Sequence, residues 1–260
     1  VPPLAIFDSG VGGLSVAREI RRALPSEDLL YVADTAYCPY GDRPDAQVRE
    51  RALAVARHLA ASGAKLIVVA CNTATGAALE DLRAAVDVPV VGLEPAVKIA
   101  ARLTRAKRIA VMATTSTVRS ARLARLIHAH ANGIEVLSQA CPGLADLVED
   151  GHLDDAALQI RLEELTRPLR EAGVDAVVLG CTHYAFVVPA LARVLGSGVE
   201  LVDSAPAIAR RVESLLRDGG RLASSGAGSM RVLTTGDPAR VRPVVERLWG
   251  GPVDVDSARI

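Results

Sequence analysis

Nine short apolar runs recur along this chain, and helical segments fill the gaps between them. That alternation constrains the fold more than any other feature. The runs lie near 4–8 (LAIFD), 29–33 (LLYVA), 65–70 (KLIVVA), 89–92 (PVVG), 108–113 (RIAVMA), 134–139 (IEVLSQ), 175–180 (DAVVLG), 199–202 (VELV) and 230–235 (MRVLTT). Several are unbroken, the pattern of strands buried on both faces. The intervals predict helices over 45–62, with Asp45 able to cap, and over 154–172. Pro95 suits the first turn of a helix starting near Glu94. The expected fold class is α/β with parallel sheets.

The pattern also repeats. "VVACNTAT" (68–75) and "VVLGCTHY" (177–184) each end an apolar run in a cysteine followed by polar, hydrogen-bonding side chains. Aligning Cys71 with Cys181 brings Pro95 and Pro206 to nearly matching positions. It also places "LAIFDSG" opposite "RIAVMATTS" as two first strands. Two pseudo-symmetric α/β domains follow, one from 1–93 plus 210–260 and one from 94–209, with the active site in the cleft between them. The Gly/Ser-rich stretch 218–229 is expected to be a surface loop, and 230–260 to add a strand and a helix to the first domain.

Composition narrows the function. Half of the 260 residues are hydrophobic, enough for a sizeable core. Lys+Arg and Asp+Glu both total 30, so no basic excess points to nucleic acid or an anionic membrane. No apolar run is long enough to span a bilayer, and the start lacks a signal-peptide pattern. The four cysteines are far apart, with no CxxC pair, which argues for a reducing, cytoplasmic location rather than a disulfide framework. The three lysines, Lys65, Lys98 and Lys107, do not follow strand ends, which disfavours pyridoxal phosphate. His128 and His130 point apart on a helix and make a poor metal pair.

In a parallel sheet, ligands bind beyond the carboxyl ends of strands. Four such ends are polar here: Asp8-Ser9, Cys71-Asn72-Thr73, Thr114 to Thr117, and Cys181-Thr182-His183. Two facing halves would set Cys71 and Cys181 on opposite walls of one cleft. Two thiols on opposite faces of one carbon can remove a proton on one side and return one on the other. A free thiol titrates near ~8.5, so modest tuning yields a thiolate near neutrality. Asp8 is a candidate partner for Cys71, and His183 and Glu149 for Cys181. Asn72, Thr73 and Thr182 offer neutral donors to a carboxylate. Buried cysteines are usually inert, and Cys38 and Cys141 are read that way. "DSGVGGLS" (8–15) is neither a P-loop nor GxGxxG, so its glycines are read as admitting a substrate carboxylate rather than a nucleotide phosphate.

These motifs, in this order, resemble the glutamate racemases of the cofactor-independent aspartate/glutamate racemase family. The resemblance rests on "FDSGVGGL" (7–14), "DTAYCPYG" (34–41), "ACNTAT" (70–75), "ATTSTVRS" (113–120), "ACPGLADLVEDG" (140–151), "LGCTHY" (179–184) and "TGDP" (235–238), across nearly the whole chain. It implies interconversion of L- and D-glutamate without cofactor or metal, feeding peptidoglycan synthesis, in a cytoplasmic homodimer. It implies Cys71 acting on D-glutamate and Cys181 on L-glutamate, tuned by Asp8, Glu149 and His183. It also implies substrate contacts at Asp8, Ser9, Tyr40, Gly41, Asn72, Thr73, Thr114, Thr117, Thr182 and His183. The histidine after "GCT" favours glutamate over aspartate. Ala185 replaces the family's usual proline, and "CPGLADLVE" departs from its usual "CPxFVPLVE". The competing readings are an aspartate or hydantoin racemase of the same superfamily, and a small-anion binding protein with two inert cysteines.

Overall fold

The computed structural model describes residues 2–260. Among the described residues ten strands form two sheets, and every pairing is parallel. The strands are β1 Leu4–Asp8, β2 Leu29–Ala33, β3 Leu66–Val69, β4 Val90–Gly92, β5 Arg108–Ala113, β6 Glu135–Ala140, β7 Ala176–Gly180, β8 Glu200–Val202, β9 Met230–Thr234 and β10 Asp254–Ser257. The first sheet runs β10-β9-β2-β1-β3-β4, and the second β6-β5-β7-β8. The order β2-β1-β3-β4 is therefore repeated as β6-β5-β7-β8. Cys71, just beyond β3, and Cys181, just beyond β7, occupy equivalent strand ends.

The unbroken apolar runs fold as expected of strands covered on both faces. On β1, Leu4 and Ile6 face one apolar cluster while Ala5 and Phe7 face another. On β5, Ala110 and Met112 join the cluster of Leu4 and Ile6, whereas Ile109 and Val111 pack on the far side of the second sheet. One core is thus shared by both sheets. The helix Leu14–Ala23 helps to close it by burying Leu14, Ala17 and Ile20 on one face. Each large apolar side chain sealed there contributes about 1.5–3 kcal/mol.

Several boundaries differ from expectation. The helix Asp45–Ala61 is capped by Pro44, and Asp45 lies inside its first turn with no capping bond from its side chain. The carboxylate still sits favourably at the positive end of the helix. Pro95 precedes its helix, which spans Val97–Leu103, because Val97 N–H turns back to the Pro95 carbonyl at 2.8 Å. The helix Ala205–Asp218 runs unbroken through residues 209 and 210. The final segment supplies two strands rather than one. β10 is polar, with only Val255 buried, so it carried no apolar run for the sequence to show. Among the described residues no helix is long and apolar enough to cross a membrane.

Candidate active site

The carboxyl ends of β1, β3, β5 and β7 converge between the two sheets. Asp8, Ser9, Tyr40, Gly41, Cys71, Asn72, Thr73, Thr114, Cys181, Thr182 and His183 line one narrow cavity there, with Pro39, Ala145 and Gly180. Its free space, about 20 Å³, holds about one water. Both cysteines reach it from their equivalent strand ends, but their settings differ. Cys71 caps the helix Asn72–Ala85, and its sulfur accepts from Ala74 N–H at 3.4 Å. Cys181 makes no capping bond; its sulfur lies 3.5 Å from His183 Nδ1.

Contacts across the cleft hold this arrangement. Thr182 Oγ1 donates to Asp8 Oδ2 at 2.9 Å, and Ser15 Oγ donates to the Thr182 carbonyl at 3.2 Å. The hydroxyls of Thr73 and Thr114 are 2.9 Å apart. Gly41 sits so close to Thr114 that a Cβ there would lie 2.7 Å from the threonine Cβ. Thr117 does not line the cavity. Its hydroxyl supports those of Thr114, at 3.1 Å, and Thr73, at 3.3 Å. Asn72 is buried, and both polar atoms of its amide lack a protein partner, the signature of a group aimed at a ligand.

Glu149 also stands behind the cavity wall. Its Oε1 accepts from His183 Nε2 at 2.6 Å and from Val11 N–H at 2.7 Å. Within the glycine-rich turn the backbone thus receives the carboxylate of Glu149, while Asp8 and Ser9 at its start line the cavity. A Cβ on Gly10 would stand 1.8 Å from Glu149 Oε1, and one on Gly12 would stand 2.3 Å from His183 Nδ1. The glycines are there so that two side chains can approach the backbone. The altered "GLAD" segment leaves Glu149 on the helix Leu144–Glu149, within reach of His183.

A model of the Asp/Glu/Hydantoin racemase family matches residues 12–212. The chain belongs to that family. It is 45% identical over 256 residues to a glutamate racemase of Pseudomonas putida, covering 98% of this chain and 97% of that one. Its fold matches the crystal structure of a glutamate racemase isoform from Bacillus anthracis with a TM-score of 0.92 at 33% identity, covering 100% of this chain and 98% of that one. It matches the Escherichia coli glutamate racemase, crystallised with L-glutamate and an activator, with a TM-score of 0.88 at 34% identity, covering 99% and 98%.

Electrostatics separate the two halves of this racemase-family site. Burial pushes the Cys71 thiol well above its ordinary range, and the neighbouring Asp8 carboxylate pushes the same way. Asp8 is itself raised by burial, against the lowering influence of His183, Thr182 and Cys71. Burial opposes charge on His183, but the Cys181 sulfur and hydrogen bonds to Cys181, Cys38 and Glu149 outweigh it and raise the imidazole well above 6.5. Cys71 is thus held as a thiol. His183 is held as a cation beside the Cys181 sulfur.

Sequence reading missed several supports. Tyr31 OH donates to the Gly10 carbonyl at 2.7 Å and steadies the turn. Tyr40 OH donates to Asp34 Oδ2 at 2.5 Å, and Arg51 holds the same carboxylate with two nitrogens at 2.9 and 3.1 Å. Cys38, read as structural, has its sulfur beside Glu149 and His183. The motif "DTAYCPYG" carried the signal for Asp34 and Cys38, but not the contacts. Lys65, by contrast, is occupied at the opposite end of the sheet, paired with Glu27 at 2.5 Å.

Proposed function

We propose that this chain is a glutamate racemase that moves the Cα proton between two thiols, without a cofactor. The observation that carries this reading is the pair of cysteines at equivalent strand ends, lining one cavity. The asymmetry between them supports a direction for each. Cys181, beside the His183 cation, takes the Cα proton of L-glutamate, and the Cys71 thiol delivers one to the opposite face. In the reverse direction Cys71 is the base, and Asp8 beside it exchanges its proton. The two unpartnered atoms of the Asn72 amide and the Thr73, Thr114 and Thr182 hydroxyls bind the substrate's carboxylate and ammonium groups, with Ser9, Tyr40 and Gly41 completing the wall. Glu149 acts through His183 and is a positioning residue; Thr117 positions Thr73 and Thr114.

Glutamate is far larger than a water. Entry therefore parts the Thr73–Thr114 and Gly41–Thr114 contacts that close the cavity between the two sheets. The same reading carries a cytoplasmic homodimer supplying D-glutamate for peptidoglycan. Chiral chromatography of L-glutamate incubated with the purified protein and no cofactor tests it. D-Glutamate should accumulate to an equal mixture. Turnover of aspartate or a hydantoin with glutamate untouched would assign another branch of the family, and turnover of none would leave a binding protein.

A further inference from the structure

Cys38 lies outside the cavity lining, yet its sulfur, a Glu149 carboxylate oxygen and a His183 ring nitrogen all lie within 4.8 Å of one another. The three residues come from separate parts of the fold: the loop after β2, the helix Leu144–Glu149 and the turn after β7. Sulfur, imidazole nitrogen and carboxylate oxygen are the donor types preferred by zinc-class cations. Bond lengths of about 2.3 Å to sulfur and about 2.0–2.2 Å to nitrogen and oxygen place tetrahedral donors about 3.4–3.7 Å apart. Cys38 and Glu149 are partly exposed, so an ion can reach them. Gly10 keeps the approach open, since a Cβ there would stand 2.8 Å from Cys38 Sγ and 1.8 Å from Glu149 Oε1.

We propose that Cys38, Glu149 and His183 bind a thiophilic divalent cation of the zinc class, and that the bound ion arrests turnover by fixing His183. On binding, Cys38 Sγ and the His183 nitrogen facing Glu149 each release a proton to solvent, and both atoms then ligate the ion. No oxidation state changes. The other ring nitrogen still faces Cys181, but the Glu149–His183 hydrogen bond that positions the ring is lost, because the ion takes both of its atoms. The arrest rests on the two-thiol reading of the site; the binding does not.

Cobalt(II) is the direct probe, because a cobalt–thiolate bond absorbs in the near ultraviolet. The wild-type protein should show that band at one equivalent, and so should Cys71→Ser and Cys181→Ser. Cys38→Ser and Cys38→Ala should lack it, with zinc arrest read against each variant's own racemase activity in chelator-treated buffer; the second covers the case in which the first folds poorly. The zinc concentration that halves racemisation should rise about 10–100-fold or more in either Cys38 variant, as losing a ligand costs at least what losing an outer partner does. No band in the wild type, or a band kept by both Cys38 variants and lost in Cys71→Ser or Cys181→Ser, would overturn the site. Cobalt bound at Cys38 with undiminished racemisation would overturn the arrest alone. If no variant or wild-type protein racemises glutamate, the functional reading fails while the band still reports on the site.

Discussion

The Thr182 hydroxyl donates to Asp8 Oδ2 at 2.9 Å, joining the strand ends of the two sheets through two buried side chains. Burial raises the Asp8 carboxyl, and this bond is among the contacts that hold it down. Thr182→Val keeps the shape and removes the donor, so Asp8 should titrate at higher pH still. If ionised Asp8 serves proton exchange at Cys71, the acidic limb of the kcat/KM profile moves up in pH. Losing a hydrogen bond to a charged group costs about 1.5–3 kcal/mol, or about 10–100-fold in rate. A pH–rate profile identical to wild type would detach Asp8 from the chemistry.

The same carboxyl has a stability consequence. Its folded value lies above 3.8, the value in an unstructured chain. As pH rises past 3.8, the unfolded chain ionises first and the folded state loses stability, with the whole loss present above the folded value. Asp8→Asn lacks that penalty. Its melting temperature relative to wild type should therefore become more favourable from acid to neutral pH, while racemisation falls. Melting curves across that range check it; a difference flat with pH would contradict the burial argument. Function here is kept against stability.

Much of this fold is written in local pattern. β1 to β9 were legible because each carries an apolar run or an alternation that a strand must bury, and Cys71 and Cys181 because they end two such runs. β10 was not, since an edge strand with one buried valine leaves little trace. Within the site, the residue types at the strand ends pointed to proton transfer. The contact of the glycine turn with Glu149 could not be seen in the sequence, because the carboxylate arrives from 138 positions away along the chain. The place of Cys38 beside Glu149 and His183 was equally invisible, being made by topology rather than spacing.

The two tuning groups should act on different half-reactions. Glu149→Gln weakens one of the hydrogen bonds that, after the Cys181 sulfur, favour the His183 cation, and His183→Asn removes the cation. Both should perturb proton transfer at Cys181, whereas Asp8→Asn should perturb it at Cys71. General acid–base contributions of this kind are about 10²–10⁴-fold. The equilibrium between enantiomers is one in every variant, so kcat/KM falls together in both directions. The asymmetry should appear in the Cα-deuterium isotope effects measured from each enantiomer. Isotope effects that change identically in the Asp8 and His183 variants would show that the pairing is wrong.

Replacing each cysteine by serine separates the thiols that act from those that pack. Cys141 is pushed up to about 12 by burial, its sulfur faces the Gln139 carbonyl at 3.4 Å, and it does not line the cavity. Cys141→Ser should keep most activity. Cys71→Ser and Cys181→Ser change little volume, so each should fold, yet each leaves one face of Cα with a hydroxyl too weakly acidic to exchange the proton. Every turnover needs a base on one face and an acid on the other. Either substitution should therefore collapse racemisation, and the double variant should be about as slow as each single one, since residues that act as a unit are not additive. Labelling in D₂O supplies the complementary reading. Early product from wild type should carry solvent deuterium while unreacted substrate stays protiated, because the proton that leaves one thiol is not the one the other delivers. Near wild-type turnover by folded Cys71→Ser or Cys181→Ser, or equal labelling of both pools at low conversion, would sink the two-thiol mechanism.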